Sequence, residues 1–441
     1  MKPALLRGDK RGIEAWQVLV HVCRRWRSLV FRSPLRLDLR LFCTPETPAK
    51  DKLDVWPALP LIVRGNISSG TDNVIAALGR SSRVCQVSLS LANCHLEKVM
   101  AAMQVPFPAL TDLWLYLYDE ALSAIPDSFL GGSATSLRIF TLRGIPFPGL
   151  PKVLLSATHL DTLWLYNIPH SGYISPEAIV TLLSVLSSLR TLSLKFLSPQ
   201  SRPDWQSRSL PSPKRSILPT LSRLDFKGIT EYLEELVTRI DTPQLDQMLI
   251  IFFNQIDFDC PRLAQFINCT PTLRALDEAH VQLFDSTACV NLRYRTSQSV
   301  FDDLTIAISC REPDWQLSSI EQVCNFSLHP ISTVEVLCID RRYSQLVWKD
   351  DGIENTLWLE LLLPFTAVKN LYLSKEFAAG IAATLEELVG SRITEVLPRL
   401  QNIFVEGLEP SGPFQKSIGR FVAKRQLSDH PIAISDWRKT K

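Results

Sequence analysis

Reactive side chains are few and scattered in this 441-residue sequence. Cys85, Cys94 and His95 come nearest to a metal cluster, thiolate and imidazole being ligands that zinc accepts, but no fourth ligand follows at a suitable spacing. Asp257 and Asp259 flank Phe258, and carboxylates paired in this way read as a solvated turn. The glycine-rich phosphate loops, the His-Glu-x-x-His metalloprotease helix and the Gly-x-Ser-x-Gly elbow are all missing from the sequence. Gly131-Gly132 signals a turn and not a phosphate loop. No catalytic residue, metal or cofactor is therefore expected, and the chain does not read as an enzyme. The side chains that stand out are aromatic and basic: Trp114, Tyr116, Arg143, Trp164, Tyr166, Lys195 and Lys227. Exposed aromatics interleaved with cations dominate protein-binding hot spots, so the chemistry they suggest is non-covalent capture of a peptide or protein.

What would position those residues is a repeat. One pattern recurs along the chain: apolar, two residues, apolar, one residue, apolar. Its instances are Val84/Val87/Leu89, Leu110/Leu113/Leu115, Leu137/Phe140/Leu142, Leu160/Leu163/Leu165, Leu189/Leu192/Leu194, Leu221/Leu224/Phe226 and Leu245/Met248/Ile250. After a degenerate Leu273/Leu276 come Phe301/Leu304/Ile306, Val334/Leu337/Ile339, Val368/Leu371/Leu373 and Leu400/Ile403/Val405. The second and third apolar residues point to one face of a short strand. An apolar residue eight places after the first (Ile145, Ile168, Leu197, Ile229, Phe253, Val281, Leu408) would cap the core as the chain leaves the strand. Such a unit cannot bury its own apolar face, whereas a stack of units can.

Helical patterns separate the strands over 72–78, 96–103, 176–186, 231–240, 319–325, 356–363 and 377–396, the last broken near Gly390. Ser175 and Pro176 suit an N-cap and a first helical position. The expected fold is an α/β, leucine-rich-repeat-like right-handed solenoid over 35–441, with parallel strands on the concave side and helices outside. Residues 198–217, rich in Pro and Ser, read as an exposed loop inserted between repeats. On the open strand face the same phase places Trp114, Thr141, Trp164, Ser193 and Asp225 in one row, and Tyr116, Arg143, Tyr166, Lys195 and Lys227 in the next. Asp340, Tyr372 and Glu406 continue that face on later strands.

Bulk properties agree with an interaction protein. Hydrophobic residues make up 46% of the chain, and the net charge of +2 implies no general attraction to nucleic acid or membrane. The ten cysteines form no C-x-x-C pair and read as reduced core thiols. With no long apolar run and no secretory-type leader, the cytosol or nucleus is the expected compartment.

Residues 1–52 stand apart, with twelve Lys/Arg against five Asp/Glu. Within them, EAWQVLVHVCRRWRSLVFR (14–32) is an amphipathic helix whose stripe is Leu19, Val22, Cys23, Trp26, Leu29 and Val30. Ser33-Pro34 stops it, and Leu35, Leu37, Leu39 and Leu41 then alternate as a strand. VCRRWRSLVFRSPLRLDLRL resembles the second half of an F-box running into a repeat domain. Together with VWPALPLIVRG and FTAVKNLYLSKEFA it is similar to a large group of fungal F-box proteins. The first half of an F-box, with its Leu-Pro-x-Glu segment, is not matched by MKPALLRGDKRGIEA, so 1–34 reads as a partial F-box-like segment. The resemblance implies a substrate-recognition subunit of a Skp–cullin–F-box ubiquitin ligase. In that role the stripe Leu19, Val22, Cys23, Trp26, Leu29 and Val30 meets the Skp adaptor, by helix-in-groove docking, and the repeats bind a target protein. The alternative is a leucine-rich-repeat scaffold with no ligase link, in which the helix only covers the first repeat.

Overall fold

The computed structural model describes residues 20–437, apart from 33–38, 56–57, 69, 120–123, 147–151, 200–214, 254–259, 275, 295–301, 311, 326–327, 342–354, 389, 391 and 409–412. Contacts divide the chain into two units, the first comprising Met1–Ile145 with Pro151–Ala157 and the second Pro146–Leu150 with Thr158–Lys441.

The first unit carries five strands: β1 (Leu41–Cys43), β2 (Leu61–Ile67), β3 (Val84–Leu91), β4 (Asp112–Leu117) and β5 (Ile139–Arg143). They lie side by side in chain order, every pair parallel. The register repeats the sequence phase, with Val87 beside Leu113 and Leu113 beside Phe140. Those residues, with Leu89, Leu115 and Leu142, are buried, as are Leu78, Leu96 and Val99 on helices Asp72–Leu78 and Asn93–Ala102. Each such side chain contributes about 1.5–3 kcal/mol on leaving water, so a column of them holds the strands in stack. The sheet starts two strands before the recognisable repeats, because Leu41, Cys43, Leu61 and Val63 supply the same inward alternation over shorter stretches.

The second unit contains β6 (Thr162–Ile168), β7 (Thr191–Phe196), β8 (Ser216–Ile217), β9 (Arg223–Gly228), β10 (Ile240–Asp241) and β11 (Gln247–Phe253). It continues with β12 (Glu278–Leu283), β13 (Ala288–Arg293), β14 (Leu304–Ser309), β15 (Val336–Arg341), β16 (Asn370–Leu373), β17 (Asn402–Val405) and β18 (Ala433–Asp436). Strands β8 and β10 form a separate two-stranded ladder. The main order is β6-β7-β9-β11-β14-β13-β12-β15-β16-β17-β18. Each unit is thus a leucine-rich-repeat-like α/β solenoid segment, its strands joined by helices. Ser175 caps helix Pro176–Leu183 by accepting the Ala178 N–H at 3.3 Å, as its sequence suggests. No helix among the described residues is long and apolar enough to cross a membrane.

Three features depart from a uniform parallel stack. First, β13 runs antiparallel to both β12 and β14, and β14, not β12, pairs with β11. The chain passes over two positions, places β12 beside β15 and fills the gap with the returning strands β13 and β14. Second, the degenerate unit is Leu276/Ala279/Val281 and not Leu273/Leu276: Ala279 stands beside Leu337 and Val281 beside Ile339. Val281 is therefore a strand core residue and not a cap. Third, Leu197 is exposed and Phe196 takes the buried cap position, because β6 carries an extra residue at Asn167 (φ 49°) that sets Ile168 opposite Phe196. Phe196, Phe226, Tyr173 and Tyr232 then form an aromatic cluster, closest between Phe196 and Tyr232 at 4.9 Å. Helices Pro261–Cys269 and Pro413–Leu427 and strand β18 were not expected from the sequence pattern.

Candidate functional site

Because strand side chains alternate, the residues between core positions all point to the face away from the helices. The seven aromatic and basic residues singled out by the sequence occupy that face, divided between the units. In the first unit, Trp114 on β4 pairs with Thr141 on β5, and Tyr116 with Arg143. Both aromatics are half-buried and Arg143 is exposed. Burial pushes the pKa of the Tyr116 phenol up, an effect that Arg143 opposes.

In the second unit Trp164 and Tyr166 lie with ring centroids 5.9 Å apart on β6. Trp164 pairs with Ser193 on β7, which pairs with Asp225 on β9, and Lys195 pairs with Lys227. The Lys195 ammonium sits 5.3 Å from the Tyr166 ring centroid and 3.3 Å from Asp225 Oδ2. Arg223 donates to both Asp225 oxygens, at 2.9 and 3.3 Å. Lys227 stands 5.1 Å over Phe253, and burial, then repulsion from Lys195, lowers its pKa. Two cations, Lys195 and Arg223, thus hold one buried carboxylate, and Lys195 and Lys227, neighbours in register, each lie beside an aromatic ring. Trp164 Nε1 and Ser193 Oγ are buried with no hydrogen-bond partner among the described residues. Arg223 was missed by sequence reasoning; its signal is its place two residues before Asp225, on the same face.

Further along the same face, the hairpin carries a buried polar network. Asn291 on β13 donates to Gln282 Oε1 at 3.0 Å and accepts from Thr305 on β14 at 2.9 Å. Glu278 accepts from Arg293 at 3.0 and 3.1 Å and pairs with His280 Nε2 at 2.8 Å. These contacts, the one from His280 foremost, hold the Glu278 carboxyl down to about 2. Asp340 is buried beside this network, while Tyr372 stacks on Phe404 at 4.4 Å and meets Trp437 edge-on at 5.3 Å. Glu406 is half-buried.

The third candidate region is helix Arg24–Arg32 in the first unit. The helix expected over 14–32 is interrupted at Cys23, and the residues on either side of the break split between two faces. Val30, 5% exposed, packs with Val20, Leu39 and Leu59. Val22 (62%), Trp26 (47%) and Leu29 (59%) are exposed, as is Cys23. Leu19 lies outside the described residues, as do Asp257, Asp259 and most of the 198–217 loop.

No protein-family model matches the chain, and no curated protein sequence matches it. Among solved structures it is similar to the leucine-rich repeat-containing protein LegL7 from Legionella pneumophila. The two are 13% identical, the match covers 88% of this chain and 98% of that one, and the TM-score is 0.27. The fold assignment rests on the strand registers described above and not on that likeness.

Proposed function

We propose that this chain is a repeat scaffold that holds another protein on the open strand face of its repeats. The observation that carries this reading is the group Trp164, Tyr166, Lys195 and Asp225, in which two rings and a fixed cation stand together on three neighbouring strands. Cations outnumber carboxylates there, so an acidic segment of a partner fits best. In this reading the chain works by binding, with no reaction, metal or cofactor of its own for that role.

We further infer that the scaffold is the substrate-recognition subunit of a Skp–cullin–F-box ubiquitin ligase. This finer reading is supported by the F-box-like residues 14–34 and by the exposed apolar residues Val22, Cys23, Trp26 and Leu29, of which Trp26 and Leu29, three apart on helix Arg24–Arg32, suit a helix laid in an apolar groove. Covering the first strands and docking on an adaptor do not compete, because Val20 and Val30 use one face and the exposed residues use the other. Such a ligase works in the cytosol or nucleus, and thiols that are not paired in disulfides suit that compartment. Pull-down with the Skp adaptor tests the ligase link. Association that is lost in Trp26→Ala/Leu29→Ala supports it; no association of the folded wild type leaves the scaffold without a ligase role. Partner capture is tested separately with Trp114→Ala and Trp164→Ala, each expected to weaken binding without unfolding the chain.

A further inference from the structure

We propose that His280, Cys338 and Asp340 form a binding site for one zinc ion on the open face of β12 and β15. His280 and Cys338 are direct neighbours in the parallel register, and Asp340 follows Cys338 by two residues on the same face. Each offers a ligand atom, and the three atoms lie within 4.8 Å of one another. Tetrahedral zinc holds such atoms roughly 3.3–3.6 Å apart, so side-chain rotations of about 1 Å close the site.

The histidine is already oriented for this. Its Nε2 faces Glu278, two residues back along β12, and an ionised carboxylate only accepts, so Nε2 carries the proton. In the neutral ring the lone pair is then on Nδ1, which is buried without a partner among the described residues. Glu278 sits beside Val336 and Asp340 beside Gln282, on opposite sides of His280 along the strands. With Nε2 on Glu278, Nδ1 is the ring nitrogen left available to an ion held with Cys338 and Asp340. Arg293 fixes Glu278 in turn. A carboxylate behind a ligating imidazole is the usual outer partner of a zinc-bound histidine.

The donor set selects the ion. A thiolate with an imidazole and a carboxylate suits zinc and disfavours calcium and magnesium, which take oxygen. Cys338 and Asp340 are buried, where a cation offsets the cost of two anionic ligands. Three protein ligands leave one coordination position for water or a donor from a partner. The ion would tie β12 to β15, the place where the chain departs from sequential stacking.

The test uses full-length protein stripped with a chelator and titrated with cobalt(II), then zinc(II). One equivalent of cobalt should give thiolate-to-cobalt charge-transfer absorption that zinc abolishes. The band should vanish in Cys338→Ser and persist in Cys289→Ser, a buried thiol on β13. Glu278→Gln should weaken zinc binding roughly 10–100-fold. X-ray absorption of the zinc-loaded wild type should show one sulfur ligand, a readout that needs no variant to fold. No thiolate band at stoichiometric cobalt, a band retained in Cys338→Ser, or sulfur-free zinc overturns the proposal.

Discussion

Lys195 is held between Tyr166 and Asp225, its ammonium 5.3 Å from the ring centroid and 3.3 Å from Oδ2. The three residues sit on β6, β7 and β9, so neighbouring repeats jointly fix one cation. A lysine on a solvated strand would lose side-chain entropy on binding a partner; here much of that ordering is already done.

Asp225 is the hinge of this arrangement. Its carboxylate is nearly buried and answers both Lys195 and Arg223. Asp225→Ala leaves two cations facing each other without their acceptor, and is expected to cost about 1–3 kcal/mol. Chemical denaturation measures this directly. Asp225→Asn, which keeps an acceptor oxygen, is expected to cost less.

The N-terminal helix should respond differently on its two faces. Val30→Asp places a charge among Val20, Leu39 and Leu59 and is expected to release the helix from the first strands. Leu29→Asp, one residue away and exposed, should leave the melting curve unchanged within about 0.5 kcal/mol. Equal effects of the two would contradict the assignment of faces.

In the hairpin, Asn291 bridges Gln282 and Thr305. Asn291→Ala strands both partners in a buried setting, at a cost of about 1–3 kcal/mol. Hydrogen exchange should show faster opening of β12–β14 in this variant than in wild type, with β6 and β7 unaffected.

The aromatic cluster of the second unit offers a conservative probe. Tyr232 donates from its hydroxyl to the Ile174 carbonyl at 2.9 Å in a fully buried position. Tyr232→Phe keeps the ring contacts with Phe196 and Phe226 but strands that carbonyl, and is expected to destabilise the chain by about 1–3 kcal/mol.

Much of this architecture was legible in the sequence, because burial imposes a fixed spacing on the apolar residues. Leu113, Leu163, Leu192 and Leu224 mark strands at the expected phase, and Ser175 marks a helix start. The rows Trp114 to Asp225 and Tyr116 to Lys227 follow from the alternation of side chains on those strands. Strand order was not legible. A spacing pattern says which residues face the core but not which strand is the neighbour, so the β12–β14 hairpin read as an ordinary, degenerate repeat. Nothing in the spacing of Ala288, Val290 and Leu292 announces a reversed strand. His280 and Cys338 came together only through that reordering. Without the pairing of β12 with β15 they are two isolated residues, while Cys94 and His95, adjacent in sequence, drew attention instead. The two faces of the first helix were also hidden, since one apolar stripe in sequence gives no sign of where Leu39 and Leu59 lie.

The central claim is that a partner is held on the open strand face. Site-specific photo-crosslinking tests it most directly, with the reactive group placed at Tyr166 and, as a control, at Val185 behind the sheet, which is exposed after helix Pro176–Leu183. A protein that crosslinks from position 166, fails to crosslink from 185 and is lost on Lys195→Glu is the result this account predicts. Crosslinking of the same partner from 185 but not from 166, unaffected by Lys195→Glu, would contradict it.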